Sequence, residues 1–161
     1  MRLSTRGRYA VMAMVEMAAR EARTGACGQG GRPATLNEIA TAQQLSVAYL
    51  EQLFGRLRRA GLVASARGPG GGYRLSRPAD QIAIAHVVEA ADEPIVATRC
   101  EDGGPGCLDG QRCLTHDLWA ELGSQIRLFL GGLTLADVVE EKVCGRAQPP
   151  AHRDAAGRAA E

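Results

Sequence analysis

Apolar residues recur every three or four positions from the start of the chain. Ala10, Ala13, Met14, Met17 and Ala18 share one helical face, which Val11 and Val15 widen. This spacing predicts a largely buried helix over residues 4–22, opened by Ser4 or Thr5. The rhythm then stops in a Gly-rich stretch, residues 24–33 (TGACGQGGRP), that no helix would tolerate and that carries Cys27 as a bystander. Thr35-Leu36-Asn37-Glu38 has the form of a capping box and predicts a second, short helix with Leu36, Ile39 and Ala40 inward. After a turn near Gln43–Leu45, Ser46 is a suitable N-cap for a third helix. Its buried stripe is Leu50, Leu53, Phe54 and Leu57, and Gly61 follows its C-terminus.

The opposite face of that third helix is polar and basic, with Tyr49, Glu51, Gln52, Arg56 and Arg59. A short helix, a tight turn and an amphipathic helix with such a face form the signature of a helix-turn-helix. Residues 62–66 and 73–75, joined by Gly68-Pro69-Gly70-Gly71-Gly72, predict a β-hairpin, which in this position would be a wing. Arg67 and Arg74 flank its tip, where a wing meets DNA. A phosphate-cradling nucleotide loop is disfavoured, because neither a following helix nor a Lys-Ser/Thr or G-x-G-x-x-G pattern accompanies these glycines.

A short helix is predicted over Ile84–Ala91, closed by Pro94, with His86 as a packing residue among apolar neighbours. A longer one runs from about Cys113 to Gly131. Trp119, Leu122, Ile126, Phe129 and Leu133 follow one another at the 3-4 rhythm of a helix that pairs with another helix. Thr134-Leu135-Ala136-Asp137 begins a last short helix. From Cys144 onward, large apolar residues are almost absent, so a disordered tail is expected, with Cys144 and His152 incidental.

Composition sharpens this outline at two points. The 161 residues carry a net charge of only +1, but the charge is unevenly spread. Arg2, Arg6, Arg8, Arg56, Arg58, Arg59, Arg67, Arg74 and Arg77 load the first half, while Glu101, Asp102, Asp109, Asp117, Glu121, Asp137, Glu140 and Glu141 offset them in the second. Such asymmetry points to nucleic acid as the partner of the basic half. No apolar run approaches the ~18 residues of a membrane span, and no export signal is recognisable, so a cytoplasmic protein is expected. In that compartment five cysteines favour metal or redox chemistry over disulfides.

Three of those cysteines fall in the spacing Cys100-x6-Cys107-x5-Cys113-x2-His116. Cys113 and His116, three apart at the start of a helix, can point the same way, and the helix N-terminus favours an anionic thiolate centre. Cys100 and Cys107 come from a segment containing Gly103, Gly104, Pro105, Gly106 and Gly110, loose enough to wrap an object larger than one ion. On spacing alone, three occupants compete. They are an iron–sulfur cluster, a tetrahedral zinc ion, and a bare Cys113 thiol activated by His116. Imidazole in place of a thiolate would make a cluster less negative and give one ligand a proton to gain near neutral pH, properties of a sensor.

The segments MRLSTRGRYAVMAM, LSVAYLEQLFGRLRRAGLVASARGPGGGYRLS, ATRC and CLTHDLW together resemble the iron–sulfur cluster assembly regulators of the bacterial winged-helix repressor family. The resemblance covers roughly residues 1–140. It implies a homodimer of crossing long helices with a 2Fe–2S cluster on Cys100, Cys107, Cys113 and His116, filled from an iron–sulfur assembly scaffold. It also implies repression of cluster-assembly genes by the loaded form, while the cluster-free form binds a second class of double-stranded DNA sites. Tyr49, Glu51 and Gln52 match the family's recognition-helix positions and Arg67 its wing arginine; Ser46 and Arg56 complete the candidate DNA contacts. Three features depart from the family pattern: an extra residue between the first two cysteines, Ala48 in place of a serine, and a longer insert around Cys27. Nitric-oxide-sensing relatives use an acidic ligand where Arg8 stands, and lack His116.

The fold expected is therefore mainly α with a small β wing. A winged helix-turn-helix domain spans 1–97 (insert loop 24–33, wing 62–77), and a cluster-binding loop spans 98–116. A dimerisation helix and a short C-terminal helix follow over 113–142, then a disordered tail over 143–161. The function expected is that of a regulator rather than an enzyme. The alternatives are a zinc- or thiol-dependent redox regulator, a nitric-oxide sensor, an enzyme using Cys113 with His116, and an electron carrier.

Overall fold

The computed structural model describes residues 5–24, 32–91 and 113–146. The first helix, α1 (Thr5–Thr24), buries Ala10, Ala13, Met14, Met17 and Ala18 as its spacing predicts, and ends two residues later than expected. It is the central support, packing against the second, fourth and last helices and the second strand.

Helix α2 (Leu36–Gln43) opens with the predicted capping box. The Glu38 amide donates to Thr35 Oγ1 at 3.2 Å, and the Thr35 amide donates to Glu38 Oε2 at 2.8 Å. Gln44, left-handed at φ 53°, ends it, and the chain turns into α3 (Val47–Arg59). Ser46 stands at the N-cap of α3, but its side chain makes no capping hydrogen bond, contrary to expectation. Leu50, Leu53, Phe54 and Leu57 are buried. The helix closes in a Schellman motif: Leu62 N–H donates to Leu57 O and Gly61 N–H to Arg58 O, both at 3.0 Å, with Gly61 at φ 71°.

Strands β1 (Val63–Ala66) and β2 (Gly72–Leu75) pair antiparallel, with Val63 opposite Leu75 and Ala66 opposite Gly72. A third piece of backbone, unforeseen from the sequence, joins them. Ala34 and Tyr73 exchange both backbone hydrogen bonds, at 2.9 and 2.8 Å. The chains approach so closely that a Cβ at position 72 would lie 2.4 Å from the Ala34 carbonyl oxygen. The wing is thus fastened to the entry of α2. Phe54 beneath it meets the Tyr73 ring edge-on at 4.8 Å.

A single 3-10 turn (Ala79–Gln81) leads to α4 (Ile84–Ala90), which buries Ile84, Ala85, Val87 and Val88. His86 is exposed on its outer side, not packed as expected. Helix α5 (His116–Gly131) lies against α4 and otherwise presents apolar side chains outward. Leu133, expected to continue its stripe, falls beyond the helix end and is 3 % exposed in the chain's own core. The last helix, α6 (Leu135–Val139), starts with a second capping box, Thr134 with Asp137. It does not travel with α5: it docks on α1, and its entry pairs with the entry of α4. Ile84 N–H donates to Leu133 O at 2.8 Å and Leu135 N–H to Ile82 O at 3.0 Å. The disordered tail expected from 143 is also interrupted. Val143 packs on the core, and Arg146 donates to Asp137 and to the Gly132 carbonyl. Residues 147–161 lie outside the described residues.

Candidate nucleic-acid interface and metal ligands

Amphipathic α3 is held by the core stripe on one side, so its other side faces away from the protein. Glu51, Gln52, Arg58 and Arg59 are exposed there, and so is Ser46 at its start. Tyr49 is half-buried, its ring edge-on to Tyr9 of α1 at 5.8 Å, which fixes its direction. Arg67, just past β1, is exposed beside Gly68 and Gly70, whose φ values of 96° and 80° form the tight wing tip. Ser46, Glu51, Gln52 and Arg67 are therefore available to a ligand lying across α3 and the wing.

Two arginines expected on this surface are placed otherwise. Arg56 is half-buried and donates through Nη1 to the Ala91 carbonyl at 3.3 Å, at the C-terminal end of α4. Arg74 lies against Glu21 of α1, whose carboxylate also accepts from the Leu75 amide at 3.2 Å. Burial pushes the Glu21 carboxyl above its ordinary range, against the pull of that amide and of Arg74. Long basic side chains can turn back along the protein, and a face assignment made from spacing cannot detect it.

A further network sets the angle between α1 and α2. Arg20 Nε donates to Glu16 Oε1 at 2.7 Å, Gln43 Nε2 donates to Glu16 Oε2 at 3.1 Å, and Arg20 Nη2 donates to the Glu38 carbonyl at 3.3 Å. Glu16 and Arg20 stand four apart in α1, a helical ion-pair spacing that is visible in the sequence. With α2 so anchored, the turn at Gln44 fixes where α3 begins.

Of the four candidate metal ligands, Cys100 and Cys107 lie outside the described residues. Cys113 and His116 are described, and both are half-buried. They bracket one turn at the start of α5, closed by the His116 amide donating to Cys113 O at 3.1 Å. The Cys113 sulfur lies 3.4 Å from Thr115 Oγ1. A soft sulfur and an imidazole in one turn fit iron or zinc alike. Cys144 is exposed, while Cys27 and His152 lie outside the described residues. Among the described residues, no helix is long and apolar enough to cross a membrane.

Residues 3–141 match the family model described as Rrf2, iron-dependent transcriptional regulator. The chain is 51 % identical over 142 residues to the HTH-type transcriptional regulator IscR of Sodalis glossinidius (strain morsitans), a match covering 88 % of this chain and 81 % of that protein. It is 47 % identical to the regulator of the same name from Yersinia pestis, across 100 % of this chain and 95 % of the other. Among solved structures it resembles CymR, the global cysteine regulator of B. subtilis, with TM-score 0.71 and 31 % identity over 88 % of this chain and 98 % of that one. It also resembles T. potens IscR, with TM-score 0.67 and 32 % identity over 92 % and 94 %.

Proposed function

The chain belongs to the Rrf2 family of transcriptional regulators, and on that footing we propose that it is a cytoplasmic homodimeric repressor whose choice of operator is set by a 2Fe–2S cluster. That it is a DNA-binding regulator and not an enzyme follows from the family. The finer reading rests above all on Cys113 and His116 bracketing the turn that opens α5, a helix that packs on α4, which in turn is tied by Arg56 to α3.

In this reading Cys113 and His116, with Cys100 and Cys107, hold the cluster, which would supply a one-electron, oxidation-sensitive centre. The N-terminus of α5 favours the anionic thiolates by its partial positive charge. Glu51 and Gln52 read base edges in the major groove, Glu51 accepting from a cytosine amino group and Gln52 pairing with adenine. Ser46 and Tyr49 flank them, and Arg67 enters at the wing. The exposed side chains of Trp119, Leu122 and Phe129 on α5 are the seam against a second copy, which doubles the DNA contact about a two-fold axis. An iron–sulfur assembly scaffold is the natural cluster donor.

The test is anaerobic purification of the full chain, followed by visible absorption, iron and sulfide analysis, and footprinting on a cluster-assembly promoter. About two irons and two sulfides per chain, with operator preference changing when the cluster is removed, are expected. A colourless protein with stoichiometric zinc, or identical footprints with and without iron, overturns the cofactor reading. His116→Ala is expected to lose the cluster yet still bind the second class of sites.

A further inference from the structure

Three of the described helices have a threonine at the N-cap, and the three threonines do not behave alike. Thr35 and Thr134 have extended backbones (ψ 152° and 167°) and give their hydroxyl oxygens to the amides of Glu38 and Asp137, whose carboxylates reciprocate. Thr115, at the start of α5, has φ −98° and ψ 5° and makes no side-chain cap at all. The residue three positions on is Leu118, 63 % exposed, which has nothing to return. A threonine that forgoes the cap gives up a contact that stabilises its helix. The hydroxyl is instead 3.4 Å from Cys113 Sγ, in the turn closed by the His116 amide on the Cys113 carbonyl.

We propose that Thr115 is a positioning residue for the metal centre, its hydroxyl donating to the Cys113 sulfur and so tuning the cluster's reduction potential. This rests on the iron–sulfur reading above. A metal-bound cysteine sulfur has lost its proton, so of the two atoms only Thr115 Oγ1 can then donate. A hydrogen bond of this kind withdraws charge from the ligand sulfur and eases acceptance of an electron, which raises the potential. It also fixes the Cys113 side chain in the same turn that aims His116. A bound cluster would take up one electron from a chemical reductant such as dithionite, one ferric ion becoming ferrous. No bond or proton of Thr115 is exchanged.

The experiment compares the cluster-loaded full chain with Thr115→Val, which keeps shape and removes the hydroxyl, and Thr115→Ser, which restores it. Midpoint potentials by dye-mediated spectroelectrochemistry and the energy of the sulfur-to-iron absorption are the readouts. The valine protein is expected to have a lower potential and absorption moved to longer wavelength, and the serine protein to regain both. A valine protein with unchanged far-ultraviolet dichroism that loses iron, where serine keeps it, supports the same assignment. Equal potentials and spectra in all three, or serine behaving as valine, overturn it. If the parent chain itself holds no iron, the cluster reading fails first and the proposal falls with it.

Discussion

Arg56 Nη1 donates to the carbonyl of Ala91 across 3.3 Å, joining the last turn of α3 to the end of α4 over 35 residues of sequence. The C-terminal carbonyls of a helix carry partial negative charge and lack intrahelical partners, so a guanidinium there is well matched. Ala91 is also the last described residue before the segment that carries Cys100 and Cys107. Arg56→Ala is expected to lower stability by about 1–2 kcal/mol and to weaken all operators together, without altering base preference. Thermal melts and binding to operators varied at single positions check both parts.

Arg67 stands free of the core, so its removal should leave the melting temperature unchanged. Arg67→Ala is expected to flatten the salt dependence of DNA binding by about one unit of slope if it meets a phosphate. If it reads a base edge, it is expected to lose about 1–3 kcal/mol at one operator position. Titrations at several salt concentrations against operators varied one base at a time separate the two.

At Gly72 the constraint is contact with Ala34. Gly72→Ala must push apart two strands of backbone, because its Cβ would sit 2.4 Å from a carbonyl oxygen that no rotamer change can move. A loss of roughly 2 kcal/mol or more is expected. Hydrogen exchange at the Ala34 and Tyr73 amides should rise before that of the α1 core.

The capping box of α2 gives a pH dependence with a definite sign. Hydrogen bonds from the Thr35 amide and hydroxyl hold the Glu38 carboxyl below its ordinary value near 4.5. A carboxyl depressed in the folded state contributes stability that is full above its unfolded pKa and is lost as pH falls through the folded one. Glu21 works in the opposite sense. Raised by burial, it favours the fold most below its unfolded value and loses that contribution as pH rises through the folded one. Glu38→Gln is therefore expected to melt lower than the parent at neutral pH and to show a shallower decline below about pH 4.5. Thermal melts from pH 7 to 3 test this.

Trp119, Leu122 and Phe129 are exposed along α5, with Leu118 and Leu128 beside them. A continuous apolar strip of this kind is rarely left to water. Leu122→Glu is expected to halve the mass measured by light scattering and to cost affinity on a two-fold operator more than on a half-site. An unchanged mass would remove α5 from the dimer reading.

The parts legible in the sequence are those written in local spacing. Met14 and Met17 face the core because they stand three apart in a helix. Thr35 caps because Glu38 is three residues on, and the glycines after Arg67 announce a hairpin. What escaped depends on distant partners. Pro33 and Ala34 show no alternation, yet Ala34 pairs with Tyr73 because the wing folds back onto it. Leu133 fits two rhythms equally, and only the pairing of residues 82–84 with 133–135 decides that it turns inward. Arg56 and Arg74 lie on the outer sides of their elements by spacing, but their reach lets them return to Ala91 and Glu21. For the candidate site, the helix and the hairpin were visible as elements, and Ser46, Glu51, Gln52 and Arg67 are exposed on them, but the return of Arg56 and Arg74 to the protein was not visible. Nor was the diversion of the Thr115 hydroxyl to a sulfur, since the same residue in the same place would ordinarily cap a helix.

The docking of α6 on α1 has a bearing on anyone who would graft this reader onto another sensor. A gene cut after residue 97 encodes the helices and hairpin proposed to meet a promoter, but strips Leu133 and Leu135 from their seats and leaves the Ile82 carbonyl and Ile84 amide without the backbone that completes them. Such a fragment should be sticky and half-melted. A transplantable unit should carry the chain at least through Val143, which packs on the same core as α1 and α3.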